Sequence, residues 1–251
     1  MDGLIPYVWA GTLLFARISA VLMLAPGWGE SSVPTQFRLA AALLATAALA
    51  PGVIDQLPPP QDNVGDAVVL IIGETLVGLV LGAGARLLMS ALQVAGQVIG
   101  MQSGLGFAQQ MDPTVGQSGA LVGVLLSLMG LVMVMAAGIH RLMLQAAVDS
   151  YQVFPTGTSL PLGDVAQWGL SSVTQAFALG LQIAAPLVVF ALIFNLALGL
   201  VNRLIPQVQI FFIALPSSIL MGLSILALGM GGGLLAWLEA LEAYARLQGP
   251  V

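Results

Sequence analysis

The chain has 251 residues, of which 59% are hydrophobic and only 7% charged, and its net charge is −5. A soluble domain carries roughly 25% charged residues, so most of this surface must face lipid or apolar protein instead of water. There is no cysteine and a single histidine, His140; this excludes disulfides, thiolate chemistry and a multi-histidine metal site, and the acidic balance gives no footing for nucleic-acid binding.

Apolar stretches fall at 4–25, 37–50, 67–105, 118–140, 170–203 and 208–238. A bilayer span needs about 20 apolar residues. The first run lacks a basic leader segment and is long enough to span, so a retained helix is expected there. The third run is long enough for two helices or one long bent one, and Arg86 is the dividing point if there are two. On that count Arg38, Arg86, Arg141 and Arg246 share one side and Arg203 takes the other, which makes the four-arginine side cytoplasmic. Between the runs lie a Gly27–Pro34 turn, a Pro51–Asp66 loop containing Pro58-Pro59-Pro60, a Gly-rich Gly104–Gly119 segment and a polar Tyr151–Asp164 loop. Pro186 and Pro216 interrupt the fifth and sixth runs, and each removes a backbone donor. The tail from Leu234 is amphipathic, with Trp237, Leu238, Leu241 and Tyr244 on one side and an i,i+4 pair of Glu242 and Arg246.

Small residues recur four apart: Gly78 with Gly82, the triplet Gly96, Gly100 and Gly104, Gly119 with Gly123, and Gly229 with Gly233. Such spacing lets helix backbones approach closely in lipid, although glycine is also simply commoner in membrane helices. Polar stripes recur as well. Ser90, Gln93 and Gln97 share one helical face, as do Gln175 with Gln182 and Asn195 with Asn202. Each stripe faces either a hydrated path or a neighbouring helix. Arg17 and Glu74 lie deep in apolar runs, where a charge costs roughly 2.5–3.5 kcal/mol on insertion scales. They are the two opposite charges of comparable depth, so they are expected to pair with each other or with another subunit. His140-Arg141 reads as the end of a helix, where both would interact with the dipole. No nucleophile–base arrangement stands out, so no catalysis and no cofactor are expected.

Several motifs together carry a likeness. The segment Gly96-Gln97-Val98-Ile99-Gly100-Met101-Gln102-Ser103-Gly104-Leu105-Gly106-Phe107-Ala108-Gln109-Gln110-Met111-Asp112-Pro113 resembles the FliR family of the flagellar type III export apparatus. So does Arg203-Leu204-Ile205-Pro206-Gln207-Val208-Gln209-Ile210-Phe211-Phe212-Ile213-Ala214-Leu215-Pro216, a Pro-Gln followed by apolar and aromatic residues and a second proline. Ile72–Gly78 and Val33–Arg38 fit too, and the likeness runs through nearly the whole chain.

The resemblance implies an all-α, multi-pass membrane protein of bent helical hairpins. A FliP-like part would span about residues 1–165, followed by a FliQ-like part at about 166–251, and together they would form one export-gate domain. It implies assembly with FliP and FliQ proteins into a helical gate in the bacterial inner membrane at the flagellar basal body. FlhB and FlhA would be further partners, and flagellar proteins the cargo. The loop matching Gly104, Gly106, Phe107, Met111, Asp112 and Pro113 would supply the pore plug, with Phe107 and Met111 as its apolar constriction. Pro186, Pro206, Gln207 and Pro216 would mark helix breaks. Apolar helices in such an assembly can be buried in protein instead of lipid, so a count of spans by hydropathy can fail. The injectisome proteins of virulence secretion share this fold. A small-solute transporter is the competing reading, but inverted repeats and a polar midplane site are not evident. A poreless scaffold is the third.

Overall fold

The computed structural model describes residues 4–104, 118–158, 162–205 and 210–246. Every regular element within them is helical: α1 (Ile5–Leu24), α2 (Thr35–Val53), a 3-10 turn (Ile54–Gln56), α3 (Val64–Gln102), α4 (Ser118–Ala136), α5 (Ile139–Val153), α6 (Leu162–Leu204) and α7 (Ile210–Ala245). Five of the described helices are long and apolar enough to cross a membrane, and a sixth span results if α4 and α5 count as one broken crossing.

The structure decides one alternative left open by the sequence and corrects other expectations. Of the two alternatives for the third apolar run, the structure takes the single long helix, 39 residues with no division at Arg86. Nothing in that stretch breaks a helix, because it holds no proline and one arginine does not interrupt the backbone hydrogen-bond ladder. With two spans reduced to one helix, the arginine count that set the orientation loses its basis. Pro186 and Pro216 do not break their helices either; α6 continues through the first and α7 through the second. Neighbouring helices can re-satisfy the carbonyl that an internal proline frees. The break falls between α6 and α7 instead, where Pro206 and Gln207 lie outside the described residues. Conversely, the run at 118–140 is interrupted. Gly138 adopts φ 73, a left-handed conformation that L side chains disfavour and glycine accepts. α5 starts directly after it. His140 and Arg141 therefore stand in the first turn of a helix, and the expected favourable dipole interaction at a C-terminus does not apply.

The helices divide into two compact units. The first holds residues 1–87, 133–173 and 240–251. In it α2 packs on α1 through a narrow stripe in which Ala42 and Thr46 are buried, and Phe37, Leu43 and Leu44 stay exposed. The turn between them is clamped by Arg38, whose guanidinium donates to the Val33 carbonyl at 2.8 and 3.0 Å and to the Glu30 carbonyl at 3.0 Å. The Glu30 carboxylate meets Arg86 at 2.8 Å. The glycine pair on α3 faces α1. A Cβ on Gly82 would sit 2.8 Å from the Leu24 Cβ, and one on Gly78 would overlap the Arg17 carbonyl oxygen. The backbones approach here as small residues allow.

The second unit holds residues 88–132 and 174–239. Its core forms around Trp237, which is fully buried and donates its indole N–H to the Leu88 carbonyl at 2.8 Å. A burial stripe on α3 comprises Leu88, Leu92, Ala95 and Ile99, with Gly96 and Gly100 beside it. A Cβ on Gly96 would collide with the backbone of Gly123, so α3 and α4 touch backbone to backbone.

Candidate functional site

The first unit encloses a charge network that the hydrophobic surroundings make consequential. Arg17 comes from the middle of α1 and Glu74 from α3, and both are almost completely buried. The guanidinium grips the carboxylate through two bonds, Nε to Oε2 at 2.7 Å and Nη2 to Oε1 at 3.0 Å. Paired forks of this kind are the strong form of ion pair. α5 completes the set. Arg17 Nη1 donates to the Ser150 hydroxyl at 2.9 Å and Nη2 to the Phe154 carbonyl at 3.0 Å. The Ser150 hydroxyl in turn donates a hydrogen bond to the Ala147 carbonyl at 2.7 Å. The Tyr151 hydroxyl donates to Glu74 Oε2 at 3.0 Å, and its ring lies under the guanidinium, 3.6 Å from the Arg17 Cζ to the centroid.

The electrostatics follow from this inventory. One positive and one negative charge cancel in a region with little water, and donors and acceptors are matched around both. Removing one member of such a buried pair strands the other, at a cost of about 3–5 kcal/mol. The arrangement ties three helices together. One side of it borders a cavity of about 490 Å³, to which Gly73, Phe154 and Thr158 also contribute.

Of the residues singled out in the sequence, the structure brings Arg17 and Glu74 together, and it sets Gly78, Gly82 and Gly96 at close helix approaches. Gly104 has φ 77 and ends the α3 segment, and a Cβ there would lie 2.9 Å from the Ser218 hydroxyl. Gly106, Phe107, Met111, Asp112 and Pro113 lie outside the described residues. Gln93, Gln97, Gln182, Asn195, Asn202 and Arg203 are exposed on otherwise apolar helices. The His140 Nδ1 is buried and has no hydrogen-bond partner among the described residues. Among the described residues no group of three or more histidine and acidic side chains could hold a metal ion.

Ser150, Tyr151 and Phe154 were not identified from the sequence. Tyr151 reads as the start of a polar loop there, because Pro155 and Gly157 follow closely. The signal that could have found them is periodicity. Ile139, Met143, Ala146, Ala147 and Ser150 recur at helical spacing, and all are buried on one face of α5.

Together, the all-helical architecture, the membrane-length apolar helices and a buried neutral ion network define a polytopic membrane protein. The chain belongs to the bacterial export proteins, family 1, whose model matches residues 8–243. It is 42% identical to the flagellar biosynthetic protein FliR of Caulobacter vibrioides over 232 residues, 92% of each chain. It is 32% identical to FliR of Escherichia coli over 84% of this chain and 80% of that one. FliR of Bacillus subtilis is also 32% identical, over 87% and 85%.

Proposed function

We propose that the chain is a subunit of the flagellar type III export apparatus in the bacterial inner membrane, and that it forms part of the protein-conducting gate. The family match through residues 8–243, with 42% identity to a FliR protein, carries this reading. The role is structural and not enzymatic. FliP and FliQ proteins are its direct partners, FlhB and FlhA stand next to them, and unfolded flagellar proteins are the cargo. The FliP-like part at about 1–165 and the FliQ-like part at about 166–251 make its contacts within the gate.

Two physical features support a life inside an assembly. At about 1.5 Å per residue, the 39, 43 and 36 residues of α3, α6 and α7 give lengths of about 58, 64 and 54 Å. The hydrocarbon layer is only about 30 Å thick. The exposed stripes Gln93–Gln97 and Asn195–Asn202 are also poorly matched to lipid and suited to partner helices or a hydrated path. The segment from Gly104 to Pro113, with Phe107 and Met111, is the proposed plug.

Affinity purification from membranes tests the reading. The tagged chain should bring down two small membrane proteins of the FliP and FliQ types, and its deletion should abolish motility. Normal motility in the deletion strain would exclude the flagellar role.

A further inference from the structure

The first unit contains a cavity of about 310 Å³ that the export reading does not use. Its lining includes Phe154, Asp164, Val165, Trp168, Tyr244 and Leu81. Three aromatic rings and one carboxylate thus share a single apolar hollow. Trp168 and Tyr244 stack on each other, with centroids 5.2 Å apart and planes 18° from parallel. The Tyr244 hydroxyl donates to the Leu81 carbonyl at 2.9 Å, which fixes that ring in the wall. Asp164 stands one turn before Trp168 on α6, so both side chains lie on one helical face.

Asp164 is itself exposed, and among the described residues its carboxylate makes no ion pair or hydrogen bond. An acid in the first turn of a helix is favoured by the dipole. That accounts for its position on the helix, but not for three aromatic rings around the same hollow. Carboxylates and aromatic faces attract one kind of ligand in common, a cation. The apolar lining disfavours a hydrated inorganic ion and favours an organic ammonium. The volume is in the range of small-ligand sites, roughly 300–1,000 Å³.

The surroundings indicate where such a cation comes from. Trp168 lies near the start of α6 and Tyr244 in the last turn of α7, and Trp and Tyr are enriched where membrane helices meet the lipid headgroups. Val153 lines the same cavity and is itself exposed, as is Leu170, at 59% and 68%. We infer that this cavity binds the ammonium group of a zwitterionic phospholipid of the phosphatidylethanolamine class. Asp164 supplies the counter-charge, and Phe154, Trp168 and Tyr244 supply the aromatic walls. The inference needs only a membrane location and does not depend on the export role.

The test uses the protein with its co-purifying partners, reconstituted in phosphatidylglycerol nanodiscs to which phosphatidylethanolamine is added stepwise. Tryptophan emission and lipid retention in native mass spectrometry are read together. The wild type should show a saturable emission change and should retain phosphatidylethanolamine over phosphatidylglycerol by roughly tenfold. Asp164→Asn keeps the shape and the reporter but should lose both signals. Trp168→Phe keeps an aromatic wall, so it should keep most of the retention while losing the emission change. Equal retention by wild type and Asp164→Asn overturns the proposal, as does a wild type with no preference between the two lipids. Displacement of the lipid by millimolar soluble ethanolamine would reassign the cavity to a free amine and overturn the lipid source.

Discussion

Tyr151 holds Arg17 and Glu74 at once. Its ring lies 3.6 Å from the guanidinium carbon, and its hydroxyl is 3.0 Å from the carboxylate. One side chain at the end of α5 therefore braces an ion pair formed between α1 and α3. Arg17→Ala or Glu74→Ala should each destabilise the protein by about 3–5 kcal/mol, read as loss of assembled complex on native gels. The double variant should be milder than the sum of the two. Strictly additive losses in the cycle would show that the two charges are not coupled.

Tyr151→Phe separates the two contributions of that residue. It keeps the ring under the guanidinium and deletes the hydrogen bond to a charged acceptor, a loss of about 1.5–3 kcal/mol. Thermal unfolding of the detergent-solubilised complex should drop less for Tyr151→Phe than for Tyr151→Ala. Equal drops would mean that the ring contributes nothing.

The glycines of α1 and α3 should respond in opposite ways to the same change. Gly78→Ala forces a methyl group onto the Arg17 carbonyl, and overpacking of this kind costs about 1–3 kcal/mol. Gly11→Ala meets nothing within 4 Å and gains up to about 1 kcal/mol of helix propensity. Protease resistance in membranes should fall for the first and hold or rise for the second. A Gly78→Ala protein as resistant as the wild type would contradict the close approach of α1 and α3.

If the Gly104–Pro113 segment is the seal, Phe107→Ala with Met111→Ala should leave the complex assembled while resting membranes leak ions. Conductance or dye uptake in non-motile cells measures this. Wild-type conductance in a normally assembled variant would rule the segment out as the plug.

The chain expressed alone should aggregate, because exposed Gln93, Gln97, Asn195 and Asn202 need polar neighbours. Co-expression with FliP-type and FliQ-type partners should rescue it. Size-exclusion profiles distinguish the two, and a monodisperse solo monomer would argue against the gate.

Hydropathy alone made the helical, membrane-embedded class legible, since few charges leave no other solvent. Arg17 and Glu74 could be paired on paper because depth in an apolar run is visible in sequence. The contribution of α5 could not, because Ser150 and Tyr151 sit where proline and glycine composition announces a loop. Helix continuity was misjudged in both directions for one reason. Pro186 and Pro216 reveal only the donor they lack, and whether a neighbour re-satisfies the freed carbonyl is a tertiary matter. Gly138 reads as one small residue among many until its φ is known. The lining of the aromatic cavity was equally hidden, since Asp164 and Tyr244 are 80 residues apart in the chain.

The buried ion pair also sets a schedule for biogenesis. Glu74 follows Arg17 by 57 residues in the chain, and Ser150 follows it by 133. At about 5–20 residues per second, the ribosome delivers the guanidinium roughly 3–11 s before its counter-charge exists. During that interval α1 carries an uncompensated cation through its centre, at a cost of roughly 2.5–3.5 kcal/mol on insertion scales. The first helix thus has reason to linger at the translocon or the headgroup layer until α3 emerges, and the two would then enter the membrane as a neutral pair.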